Sequence, residues 1–349
     1  MEEQRFVDAK KIFATLMAAK PRAEILPHVT FQLGLASDRL DDRPEALARY
    51  SEFIKGSPQD VRAKAVHLRV LDLAAYLEQW DVLLEAADSF LNRKDLDGVD
   101  RISGLGARAL GRVEKGDASL AMHDVQSGLD IVDELAFGKL GKLPPPAAQL
   151  QFALGEVRRV RSEEIKLAPE GDAARADVSA DFLQKMNARC QGLLDAQSAY
   201  AESMRTTDAH WIAMAGYRVG DMYRTLHKEL MRIPPTKQAK TQSDEELFFA
   251  IMHVRYRVLL EKGLEMLKRT LVLEERKLDD SEWIKRSNIA KAEIEKALEE
   301  ERAVIAKFPY SEATIEKTLE LMQKKANLAA EKKQNELWKK EEQKNKKGK

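Results

Sequence analysis

Six histidines and one cysteine are the side chains best suited to acid–base, nucleophilic or metal chemistry: His28, His67, His123, His210, His227, His253 and Cys190. A helical zinc site needs two imidazoles one turn apart on one face, as in His-Glu-x-x-His, and no histidine pair here has such close spacing. Asp208 and His210 could form an acid–imidazole couple, since a carboxylate can orient an imidazole for proton transfer. The same residues stand before a helix-forming stretch, where Asp208 reads first as an N-cap and His210 as an ordinary residue of the helix entry. Cys190 lies among Met186, Leu193 and Leu194 and reads as packing, the usual fate of a free cysteine. Gly104, Gly106 and Gly111 approach a dinucleotide loop, but the last glycine is displaced and no strand precedes it, so they read as sites of close helix contact. There is no Walker loop and no Gly-x-Ser-x-Gly elbow. The expectation is a protein without catalytic, cofactor-binding or metal-binding residues: not an enzyme, with no cofactor and no small-molecule substrate.

The elements that would carry these residues are helices. The chain has 349 residues, 44% of them apolar, which suffices for a sizeable core. Its apolar runs are only a few residues long, too short for a membrane span. Prolines at 21, 27, 44, 58, 144–146, 169, 234, 235 and 309 separate stretches rich in Ala, Leu, Glu, Lys and Arg, all strong helix formers. No stretch shows the sustained alternation of a strand, so the predicted class is all-α. The 58 basic and 58 acidic residues cancel, which removes overall attraction to nucleic acid or an anionic membrane.

The N-terminal part repeats. Ala9, Phe13 and Leu16 recur 37 residues on as Ala46, Tyr50 and Phe53, after a further 37 as Leu83, Ala87 and Phe90, and after a further 38 as Ala121, Val125 and Gly128. Spacings of four and then three place each triplet on one helix face. Polar connections (Asp41-Asp42-Arg43-Pro44, Glu78-Gln79 and Gly116-Asp117) precede the triplets, and another apolar helix precedes each connection. Leu33-Gly34, Ala46, Tyr50 and Pro58, with Gly116-Asp117 and Ala121, resemble the tetratricopeptide repeat pattern. Ala196, Tyr200, Ser203 and Asp208, followed by Trp211 and Ala215, repeat it in degenerate form. The resemblance implies a right-handed solenoid of helical hairpins, in which small residues let paired helices approach and aromatics fill the seam. Residues 5–21 match the second helix of a repeat, so the register begins mid-repeat, and a fragment of a longer repeat protein is expected.

In that family the first helix of each hairpin lines a concave groove. The register puts Phe31, Leu35 and Asp38 there, then Leu68, Asp72 and Tyr76, then Gly106, Leu110 and Val113, with Arg69 and Arg112 nearby. Such a surface suits a partner helix or an extended peptide, with apolar anchors and a few charges. The alternative for any one of these residues is packing between repeats. The function implied is a protein-interaction scaffold or adaptor in a multiprotein assembly, with protein partners.

Four regions are expected: repeats over residues 1–136, degenerate long hairpins over 137–235, a long-helix region over 236–323, and a lysine-rich tail over 324–349. Ala147–Leu167, Ala173–Arg205 and Trp211–Met231 read as helices, the second unusually long. Beyond Asp244, Leu247, Ile251, Val254 and Val258 form one heptad-like seam and Ile315, Leu319, Met322 and Ala326 another. The Asp208–Trp211 stretch with Tyr217, Gly220, Tyr223, Pro234-Pro235 and Trp283 is similar to C-terminal regions of bacterial envelope-associated tetratricopeptide proteins, those linked to gliding motility above all. That implies the periplasm or cell envelope if the chain is a fragment of a longer secreted protein, and the cytoplasm if it is complete. The tail holds ten Lys and four Glu, no Arg, and Trp338 as its only aromatic. It supplies a second reading, counterion-driven binding of nucleic acid or another acidic surface. The missing Arg and stacking aromatics favour a solvated, fraying helix end instead, with no nucleic acid expected as a partner.

Overall fold

A computed structural model describes residues 2–137, 143–167, 180–206, 208–235, 239–276, 281–311, 313–317, 319–321, 324 and 328. The described residues are helical, with turns between helices and no strand. Most of the tail, the turn expected at Pro169–Gly171, the start of the helix expected from Ala173, and Met322 and Ala326 lie outside the described residues.

The helices are α1 (Glu2–Ala18), α2 (Leu26–Arg39), α3 (Arg43–Gly56), α4 (Ala63–Tyr76), α5 (Trp80–Leu91), α6 (Gly98–Glu114), α7 (Ala118–Glu134), α8 (Pro146–Glu163), α9 (Ala180–Met204), α10 (Ala209–Leu230), α11 (Gln242–Glu275) and α12 (Glu282–Ile305). They form two compact units. One comprises residues 1–165, 188–216 and 273–283; the other comprises 166–187, 217–272 and 284–349.

In the first unit α2/α3, α4/α5 and α6/α7 are helical hairpins, and α1 packs on α2. The first helices also stack in a row, α4 on α6 and α6 on α8. Local chemistry sets each hairpin. Asp42, Asp97 and Asp117 cap the starts of α3, α6 and α7, accepting hydrogen bonds from the backbone N–H three residues on. Three hairpin turns share one design. Asp41, Glu78 and Gly116 adopt positive φ values of 56°, 54° and 91°. The next residue's N–H closes back on the helix: Asp42 onto Ser37 O, Gln79 onto Ala74 O and Asp117 onto Arg112 O. This is a Schellman turn in three copies, and it consumes carbonyls that the helix ends leave open.

The repeat triplets form the seams. Ala46, Tyr50 and Phe53, then Leu83, Ala87 and Phe90, then Ala121, Val125 and Gly128 are all buried. The degenerate copy, Ala196, Tyr200 and Ser203, is buried as well. A Cβ at Gly34 would stand 2.8 Å from Tyr50 Cδ1, and one at Gly155 would stand 2.6 Å from Tyr200 Cε1. Each glycine therefore lets an aromatic ring lie flat against the facing helix. In the N-terminal triplet Leu16 is exposed, as is neighbouring Ile12.

Two buried carboxylates of this unit are paired with cations. Asp124 accepts hydrogen bonds from Arg108 at 3.0 and 2.8 Å and from Arg112 at 2.6 Å. Glu156 accepts from the Tyr200 hydroxyl at 2.6 Å and from Arg159 at 2.5 Å.

The second unit is built on longer helices. Leu260 and Leu267 of α11 pack with Ala290, Ile294 and Leu298 of α12. Ala250 and Val254 pack with Ile305 and Ile315, flanked by Ile251 and Leu319. Ile251 and Val254 of the first heptad-like seam and Ile315 and Leu319 of the second thus meet in one core. Val258, the last member of the first seam, is exposed.

Candidate partner-binding cavity

The first-helix face of the first unit carries a cavity of about 410 Å³. Leu68, Arg69, Asp72 and Tyr76 of α4 form one wall, and Arg43, at the start of α3, borders it. Ser103 of α6, Pro146 and Gln149 of α8, and Asp208, His210 and Trp211 at the entry of α10 complete it. Residues far apart in sequence meet here because α4, α6 and α8 stack side by side. Positions one turn apart on α4 (68, 72 and 76, with 69 beside them) then share one face.

An aromatic stack organises one side. The Arg43 guanidinium carbon lies 4.1 Å from the centre of the Tyr76 ring. The His210 imidazole stacks on Tyr76 with centroids 4.4 Å apart and planes at 29°. Trp211 meets His210 edge-on at 5.3 Å and packs on Phe152 at 5.5 Å, so the stack is rooted in the core. Burial, and then the charge of Arg43, pushes the His210 pKa down to about 3, and the imidazole is neutral at neutral pH.

Asp208 accepts hydrogen bonds from the backbone N–H groups of His210, at 3.0 Å, and Trp211, at 3.2 Å. It is the N-cap of α10 and does not touch the imidazole, whose two nitrogens are buried without a hydrogen-bond partner among the described residues. The acid–imidazole couple considered from the sequence is not assembled. The carboxylates on the other side differ in their partners. Asp38 takes both N–H groups of the Arg69 fork, at 2.9 and 2.6 Å, and lies 3.5 Å from the Tyr50 hydroxyl. Burial, followed by the charge of Asp38, raises Tyr50 to about 12. Asp72 is solvent-exposed within the cavity. Desolvation raises its pKa to about 6; Arg69 opposes the rise, and Asp208 and Asp38 add to it.

Of the groove residues predicted from sequence, Leu68, Arg69, Asp72 and Tyr76 come together in the cavity, and Asp38 joins through Arg69. Phe31 does not line it. That ring packs against Phe53 at 5.5 Å and Tyr50 at 6.3 Å, under the Arg62 guanidinium, within the seam of the first hairpin. Leu35 is half-buried on α2. Leu110 has no exposed surface and Val113 is buried, because α6 sits between α5, α7 and α8. Gly106 abuts the Leu150 backbone. Arg112 turns to Asp124 on α7. The lesser part of the α6 surface left open is represented by Ser103.

Arg43, Ser103, Asp208, His210 and Trp211 are cavity residues that the sequence did not assign to the groove. A signal for the last three existed. The degenerate Ala196–Tyr200–Ser203 triplet makes α9 a second helix, hence α10 the first helix of the next hairpin, with its entry on the same face. Nothing in the sequence marks Arg43, whose place depends on the Schellman turn before it.

Among the described residues no group of three or more His, Cys, Asp or Glu could hold a metal, and no helix is long and apolar enough to cross a membrane. No protein-family model and no curated protein matches the chain. Among solved structures, a tetratricopeptide repeat protein from Parabacteroides merdae is similar at 12% identity, over 83% of this chain and 94% of that one, with a TM-score of 0.38.

Proposed function

We propose that the chain is a non-enzymatic scaffold that binds a protein partner, a helix or an extended peptide, through the first-helix face of its hairpins. The observation that carries this reading is the convergence of α4, α6, α8 and the entry of α10 on one cavity with an apolar and aromatic wall and a few charges. That mixture is what peptide-binding surfaces use, with apolar anchors for affinity and charges for register. A photo-crosslinking amino acid at Leu68 or Ser103 should capture a discrete partner in cells. One at Val61, which is 95% exposed in the turn before α4, should not. Equal capture at both places would remove the reading.

A further inference from the structure

We propose that the cavity receives a basic side chain of the bound partner, a lysine or an arginine, with the Asp72 carboxylate as its counter-ion and Asp208 beside it. The inference rests on the partner-binding reading above and names the chemistry of that partner.

The charges around the cavity are unequally satisfied. Asp72 and Asp208 line it together with Arg43 and Arg69, and Asp38 stands behind Arg69. Both cations are engaged. Arg69 spends its fork on Asp38. Arg43 lies over Tyr76 and 3.4 Å from Asp41. Asp208 is held by the start of α10. No hydrogen bond or ion pair reaches Asp72 among the described residues. Asp72 is open to solvent inside the cavity and has no cation, so a cation supplied by a bound partner would pair with it as that solvent is displaced.

His210 is an independent sign of the same vacancy. Its ring nitrogens are sealed from solvent with no partner among the described residues, yet the ring borders the cavity that Asp72 borders. A neutral imidazole has one acceptor nitrogen, and no donor among the described residues fills it, just as no cation pairs Asp72. An anionic ligand would meet Asp72 and Asp208, while both lining cations are already engaged. An apolar one would bury Asp72 further with nothing to pair it. A bare metal ion would find no set of three ligands among the described residues.

Acid should release the partner. The groups facing Asp72 are Arg69 on its own helix, Asp38 on α2, Arg43 on α3, and Asp208 and His210 at α10. The guanidinium groups stay charged throughout, and His210 is already neutral above about pH 3. Asp72, raised to about 6, loses its charge as the pH falls through that value, and with it the attraction for a cation.

The test uses the full chain and a displayed library of short random peptides, selected at about pH 7.5. Recovered peptides should share a Lys or Arg. Changing that residue to Gln, or changing Asp72→Asn in the protein, should each weaken binding about tenfold, with no further loss when combined. Asp72→Glu should retain most of the affinity. Acidification to about pH 5 should weaken the parent protein and leave Asp72→Asn unmoved. Asp72→Asn should melt no lower than the parent, because it removes a desolvated charge, so weakened binding cannot be unfolding. Peptides that Leu68→Glu blocks but that share no basic residue and ignore Asp72→Asn would overturn this inference and leave the groove reading standing. Peptides indifferent to Leu68→Glu, or no peptide at all, would overturn both.

Discussion

The two units bury their carboxylates by different means. In the first, Asp124 is enclosed by the guanidinium groups of Arg108 and Arg112, and Glu156 by Arg159 and a tyrosine hydroxyl. In the second, Glu301 of α12 faces imidazoles: His253 Nδ1 is hydrogen-bonded to it at 2.6 Å, and His227 Nε2 lies 3.2 Å away without hydrogen-bond geometry. Guanidinium is a permanent cation with a planar fork that fits a carboxylate; imidazole carries charge only when protonated. The buried carboxylates of the hairpin unit are thus paired by fixed charges, and Glu301 of the long-helix unit by titratable groups. The variants that separate these designs fall in order of expected effect.

Asp124→Ala should cost most. It removes the carboxylate shared by two mostly buried guanidinium groups, leaving Arg108 only Asp88 and Arg112 only the Leu120 carbonyl, and breaking a buried ionic cluster by removing one member costs about 3–5 kcal/mol. Urea unfolding followed in α6 and α7 should show a lower midpoint. An unchanged midpoint would mean that solvent reaches both arginines and that the cluster is a surface feature.

Glu301 gives the second unit its own acid limit. Burial pushes its pKa up, but the two imidazoles override burial and hold it down to about 2, against an ordinary 4.5. A depressed carboxylate pKa contributes stability that is present above about pH 4.5 and lost as the pH falls through about 2. Hydrogen exchange in α11 and α12 should therefore accelerate between those values. Glu301→Gln should flatten that response and lower stability at neutral pH by about 2–3 kcal/mol, the scale of charged hydrogen bonds lost from a buried site. Identical acid responses in parent and variant would show that another group sets the limit.

Tight contact is what the units share, since a Cβ at Gly220 would stand 2.6 Å from Leu267 in the second. Gly155→Ala drives a methyl into the Tyr200 ring, where a Cβ would stand 2.6 Å from its nearest atom, and overpacking of this kind costs about 1–3 kcal/mol. Gly56→Ala, at the end of α3 with nothing within 4 Å of its Cβ, should be neutral or stabilising by up to about 1 kcal/mol. Melting temperatures that fall equally for the two would contradict the seam.

These contacts also mark how far the sequence could be read. The hairpins were legible because a small or apolar residue, then a side chain four on, then one three on, recurs at fixed intervals, and that face must be buried wherever it occurs. The cavity was half legible. Asp72 and Tyr76 follow from the period of α4, but Phe31 and Leu110 have the same period and point into packing. Which side of a first helix stays open depends on the neighbours stacked on it, α8 against α6 above all, and a repeat too degenerate to align carries little record of its neighbour. The carboxylates show the same limit. Glu156 and Tyr200 stand 44 residues apart, and Glu301 and His253 stand 48 apart, beyond any local spacing rule.

The smallest effect tests whether the repeated turns are equivalent. Asp41, Glu78 and Gly116 occupy the same left-handed position of the same Schellman turn, yet only one is glycine. For a residue with a Cβ the left-handed region costs about 1–2 kcal/mol, offset in part by glycine's greater freedom in the unfolded chain. Gly116→Ala should thus destabilise by about 1 kcal/mol and Glu78→Gly should stabilise by about 0.5–1 kcal/mol, since neither change touches the N–H bonds that close the turn. A double variant would then nearly cancel, because the turns lie on different hairpins and share no contact partner in their closing bonds. If Glu78→Gly were instead destabilising, the Glu78 side chain would be contributing more through its own contacts than its backbone loses. The three turns would then be alike in geometry but not in energetics.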